Sequence, residues 1–263
     1  MNPLDWPFPP FDLPFLVLLA VVTLAGIARG ISGFGTGMIV APVAGAIYGP
    51  QAALAIVVLM DSLPTIPVTL PALRIAVWRE VVPVAAGLFV CFPIGVFILV
   101  NGDEEVLRWL ISLAILACVG VLWSRWTYHG PRNLATSFAV GGVAGTLSGI
   151  ASVPGPPVIA YWMTAGLPAV LVRANLLSLF FIGEFVALGN LWIAGLFQWE
   201  VAMRALIAAP LYFAGIVAGT SAFTRGGERL YRIATFTLIL AAAILALPVF
   251  DRVFHAAAAA LGG

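Results

Sequence analysis

Ten apolar runs set the limits on what this chain can become. They span Leu13–Arg29, Gly35–Tyr48, Gln51–Leu70, Glu80–Val100 and Glu105–Trp123. After a polar break at Ser124–Asn133 come Leu134–Ser148, Pro154–Thr164, Pro168–Trp192, Trp199–Phe223 and Leu230–Val249. A helical span needs about 20 residues. Strand-like alternation is absent, and most runs far exceed the roughly 10 residues of a barrel strand. Only 9% of the 263 residues are charged, with 12 Arg and no Lys, against about 25% in soluble domains. Too few polar side chains exist to cover a soluble surface. The expected fold is an all-α integral membrane protein of about ten helical segments. A net charge of +1 offers nothing to neutralise phosphates, so no nucleic-acid partner is expected. Met1–Leu13 holds Asp5, Asp12 and no base, which does not suit a cleaved signal peptide. Cys91 and Cys118 lie inside apolar runs without a CxxC or Cys/His cluster, so neither a metal nor a cofactor is expected.

The two halves resemble each other. Gly49–Ala53 aligns with Leu167–Leu171, Ile75-Ala76 with Ile193-Ala194, and Gly37 with Gly155, all at an offset of 118. Glu80-Val81 aligns with Glu200-Val201, and Gly95 with Gly215, at 120. The division is 1–124 as a first membrane repeat, 125–133 as a cytoplasmic linker and 134–263 as a second repeat. Orientation follows the excess of basic residues on the cytoplasmic side. Ten crossings with the termini outside put Arg74, Arg79, Arg125, Arg132, Arg225, Arg229 and Arg232 inside, and the acidic Asn101–Glu105 loop outside; the alternative, in which the two short runs re-enter, moves Arg74 and Arg79 to the side opposite Arg125 and Arg132. Five crossings per half make the repeats inverted, a recurring transporter plan.

Two short segments break the helical pattern at matching places: Gly30–Pro42, containing Gly33, Gly35 and Gly37, and Ser148–Pro157, containing Gly155 and three prolines. Non-helical backbone survives in a membrane only where protein or a water-filled cavity covers it. Paired breaks point to a transport site. A helix starting after each break turns free N–H groups and a positive dipole end toward it, which suits an anion. Ser32, Thr36, Ser148 and Ser152 add hydroxyl donors. Gly26 and Gly30, by contrast, read as close helix packing.

Charges inside apolar runs are costly and mark candidates. Arg29 and Arg173 offer planar forks for an oxyanion, or snorkel to the interface. Asp61 and Glu184 read as ion-pair partners or as a proton relay. Asn175 and Ser178 share a helix face and could line the pocket. Tyr161 and Trp162 either seal it or belong to an aromatic belt. His129 and His255 have no implied partners.

Gly33-Phe34-Gly35-Thr36-Gly37 followed by Ile39-Val40-Ala41-Pro42, and Gly145–Gly149 followed by Pro154-Gly155-Pro156-Pro157, resemble the paired motifs of the sulfite exporter TauE/SafE family. Length and two-half layout match as well. The second motif departs from the usual glycine-rich form through its prolines. The resemblance implies a transporter exporting sulfite or small organosulfonates across the bacterial inner membrane, with the anion and the bilayer as partners; a homo-oligomer is compatible with it. A negative interior favours anion exit by about 2.3 kcal/mol per charge per 100 mV, so a uniporter suffices for efflux. An anion channel, or a carrier of another small organic anion, is the alternative. An enzyme is not expected, because no nucleophile–base pair or aspartate pair lies within the spans.

Overall fold

The computed structural model describes residues 12–124, 128, 130–163, 166–225 and 240. Among them are ten α-helices and no strand: α1 (Leu13–Ser32), α2 (Thr36–Tyr48), α3 (Pro50–Ser62), α4 (Ile66–Ile75), α5 (Trp78–Asn101), α6 (Glu104–Trp123), α7 (Leu134–Ala151), α8 (Gly155–Trp162), α9 (Ala169–Ile193) and α10 (Trp199–Arg225). The fold is all-helical, as composition predicts. Five helices, α1, α5, α7, α9 and α10, are long and apolar enough to cross a membrane. Large apolar side chains such as Phe89, Phe97, Leu113, Phe185 and Leu206 are exposed on the outer faces, where lipid removes the cost. Trp78, Trp123, Trp192 and Trp199 are exposed at helix ends; in membrane proteins indoles are enriched at headgroup level. The chain is a multi-pass membrane protein. The run Leu230–Val249, apart from Leu240, lies outside the described residues, as do Asp5, Arg125, His129, Arg229, Arg232 and His255.

The third apolar run differs from the sequence reading. Gln51–Leu70 is not one segment but α3 and α4, separated at Leu63–Thr65. Pro64 and Pro67 each lack an N–H, and two ladder bonds are lost within four residues. Side chains answer part of the deficit: Thr65 Oγ1 donates to the Asp61 carbonyl at 2.6 Å. The corresponding segment of the second half, α9, is unbroken over 25 residues.

Glycine contacts set the packing. Gly141, Gly145 and Gly149 of α7 lie against the carbonyls of Val84, Leu88 and Phe92 in α5, each so closely that a Cβ would strike the backbone. Gly215 and Gly219 of α10 meet the carbonyls of Thr23 and Ile27 in α1 in the same way. Residue numbers rise together in both pairs, so both run parallel. Gly26 and Gly30 belong to the second contact, the small-residue packing that sequence favours for them. The first helix of each half therefore packs on the fourth apolar run of the other.

The loops sort by charge. Arg132 reaches Glu80 at 2.6 Å, so the central linker and the α4–α5 turn, with Arg74 and Arg79, share one face. Gln51 donates to the carbonyls of Leu99 and Val100 at 3.4 Å. The α2–α3 turn therefore lies at the opposite face, beside Asp103, Glu104 and Glu105.

Candidate functional site

α1 ends where Gly33 adopts φ +79° and donates its N–H to the Arg29 carbonyl at 2.8 Å. Gly35, at φ +104°, caps the start of α2 two residues later. These left-handed conformations are what glycine permits at no steric cost. The second break is built otherwise. Ser152 closes α7 at φ +55°, the one non-glycine at positive φ among the described residues. A serine there costs about 1–2 kcal/mol, and the residue brings a hydroxyl to the break that glycine would not.

The breaks meet. Gly37 abuts the Ser152 carbonyl, with no room for a Cβ. α2 runs from there to the Gln51 face and α8 to the Arg132 face, so the two helix starts oppose each other head to head. Between them is a cavity of about 60 Å³. A water needs roughly 10–15 Å³ on this measure, so the space takes a few waters or one small oxyanion. Gly35, Thr36 and Gly37 line it from the first break, and Ser148, Ser152 and Gly155 from the second. Arg29, Asp61 and Glu184 complete its polar wall; Phe34 and Phe180 are among its apolar lining.

The remaining sequence candidates lie elsewhere. Ser32 donates to the Ala28 carbonyl at 2.7 Å and stitches the first break from behind. Arg173 packs under Gly33 and donates to the Gly30 carbonyl at 3.1 Å, where a cation complements a helix C-terminus. Asn175 is fully buried and accepts from the Val77 N–H at 2.7 Å. Tyr161 and Trp162 are buried, unlike belt aromatics. Tyr161 shares a hydrogen bond with Ser137 at 2.8 Å and lies under the Arg132 guanidinium.

The polar wall is a network. Arg29 Nη2 is 3.2 Å from Asp61 Oδ2, and the guanidinium sits 5.2 Å from the Phe180 ring centre. Tyr212 OH donates to Asp61 Oδ1 and is 2.6 Å from Thr36 Oγ1. With the phenol proton given to the carboxylate, Thr36 is the donor in that contact. Tyr212 was not legible in sequence; a lone tyrosine amid the apolar run of α10 is its only signal. Arg29 and Asp61 are buried, and removing one partner of such a pair is costly.

Several donors are left over. Arg29 Nε and Ser152 Oγ are buried with no hydrogen-bond partner. Thr36, Gly37 and Met38 carry the first three N–H groups of α2, which no side chain caps and which a helix cannot satisfy itself. α8 contributes less, because Pro156 and Pro157 have no N–H. A site with surplus buried donors and a cation suits an anion.

The sulfite exporter TauE/SafE family model matches residues 18–246. A "Probable sulfite/organosulfonate exporter TauE" from Cupriavidus necator is 30% identical over 210 residues, covering 76% of this chain and 80% of that protein. No solved structure gives a significant match. The two glycine- and proline-rich breaks that meet at the cavity fall inside the matched region, and the chain belongs to the sulfite exporter TauE/SafE family.

Proposed function

We propose that this chain is a secondary transporter that carries sulfite or small organosulfonates out of the cell across the bacterial inner membrane, using the cavity between the two breaks. The observation that carries this reading is the surplus of buried donors, Arg29 Nε, Ser152 Oγ and the α2 amides, around a space of oxyanion size. Arg29, Gly35, Thr36, Gly37, Ser148, Ser152 and Gly155 form the substrate shell. Ser32, Gly33, Arg173 and Asn175 hold the breaks and the neighbouring helix ends in place. Asp61 serves as counter-ion to Arg29. The exchanged pairing of α1 with α10 and α7 with α5 supports two inverted repeats, as does the placement of Glu80 and Glu200 in matching first turns. The test is transport into proteoliposomes. Radiolabelled methanesulfonate and sulfite should accumulate saturably by exchange with unlabelled anion, and sulfate should compete poorly. Flux that rises linearly with concentration would point to a channel instead.

Orientation is a separate expectation, resting on the charge of the loops. In a variant free of Cys91 and Cys118, Glu105→Cys should react with an impermeant maleimide on intact cells. Arg74→Cys should react only after lysis. The reverse pattern would invert the proposed topology.

A further inference from the structure

The charges around the cavity do not balance. Arg29 is the one cation among its lining residues, against two carboxyls, Asp61 and Glu184. Asp61 is paired with a guanidinium and a phenol. Glu184 has neither; its hydrogen bond comes from the neutral hydroxyl of Ser62 at 2.8 Å. From α3 Glu184 faces Asp61 and Ser62, from α1 Arg29, and Tyr212 of α10 stands behind Asp61. α5 and α8 bring only Leu88 and Gly155 to this cavity, and neither ionises. Arg74, the ionisable group of α4, is exposed in the last turn of that helix. With both carboxyls charged the cavity is formally −1 before any substrate arrives. An entering anion then meets an uncompensated carboxylate in a space with room for only a few waters.

We propose that Glu184 is the proton site of the transport cycle: its carboxylate takes one proton from solvent as the sulfur oxyanion enters, and that proton leaves with the anion on the far side. This rests on the cavity being the anion site. The protonated carboxyl gains an O–H that can donate to an anion oxygen, so repulsion is replaced by a hydrogen bond. Proton and anion then raise each other's affinity by the same factor, as linkage requires. Arg29 and Tyr212 stay paired with Asp61 throughout. For a monovalent sulfonate the loaded cavity carries no more charge than the empty deprotonated one. Its efflux follows the sulfonate and proton gradients rather than the membrane potential.

The test uses the full chain in liposomes loaded with methanesulfonate, a fixed anion that cannot carry its own proton, and with a pH-sensitive dye. The lumen should turn alkaline during efflux, by one proton per sulfonate. Above the pH at which Glu184 holds its proton, efflux should slow by about tenfold per pH unit. Glu184→Gln retains a donor and should exchange sulfonate at a rate independent of pH, without moving protons. Efflux by the unaltered protein with no alkalinisation overturns the proton site and leaves the anion site standing. Alkalinisation that persists in Glu184→Gln also overturns it. No sulfonate movement by the unaltered protein overturns the anion site itself, and the proton site with it. The proton count is read on the unaltered protein, so the inference stays testable even if the Gln variant fails to insert.

Discussion

Arg29→Lys is expected to lower methanesulfonate transport about 10- to 100-fold at unchanged membrane abundance, although charge is conserved. The guanidinium does two things at once. Nη2 holds Asp61 at 3.2 Å, while Nε is buried and unpartnered, the donor that we propose for the substrate. An ammonium is a compact point charge; drawn to Asp61, it leaves the anion without that donor. A hydrogen bond to a charged group is worth about 1.5–3 kcal/mol, which gives the stated range. Arg29→Ala removes the counter-ion as well. An unpaired buried Asp61 costs about 3–5 kcal/mol, so this variant should also lose abundance. Arg29→Ala combined with Asp61→Asn should recover abundance but not transport. Proteoliposome uptake normalised to inserted protein reads both effects. A Lys variant as active as the parent would reduce Arg29 to a counter-ion and leave the substrate to the hydroxyls and amides.

Gly37→Ala is the second large effect. The added methyl would collide with the Ser152 carbonyl, which is backbone and cannot swing aside. Either the start of α2 or the end of α7 must move. Overpacking of this kind costs about 1–3 kcal/mol, and here the displacement opens the seam where the two breaks meet. Transport should fall at least tenfold, and the melting temperature in detergent should drop. Gly189→Ala is the control: nothing lies within 4 Å of its Cβ position, and alanine suits a helix interior better than glycine. A Gly37→Ala protein with parental transport and melting would separate this contact from the site.

The helices were readable in sequence because a membrane leaves apolar length as the dominant signal. The two breaks were readable because glycine and proline cluster there against that background. The break between α3 and α4 was not, although Pro64 and Pro67 announce it; the apolar run continues through them, and hydropathy does not sense a missing N–H. At the site, Arg29, Asp61 and Glu184 stand out as charges in apolar runs, and the cavity gathers all three. Arg173 stands out equally, yet it reaches the Gly30 carbonyl behind the break. Sequence spacing gives a residue's depth along a helix but not which neighbour its face meets. Tyr212 is found only when α10 is laid against α3, because its role comes from Asp61, a partner 151 positions away.

The pairing of α1 with α10 also dictates an order of assembly. α5 and α7 leave the ribosome close together and can close their glycine seam early. The α1 seam must wait: Thr220, which donates to the Gly30 carbonyl, lies 190 residues downstream. At a synthesis rate of about 5–20 residues per second, α1 spends on the order of ten to forty seconds in the bilayer with its glycine face uncovered. Asp61 is translated soon after Arg29, so the ion pair can shield that charge through the interval. A chain shortened before α10 would keep α1 permanently in that waiting state, with an open small-residue face that other helices, or quality-control proteases, could engage.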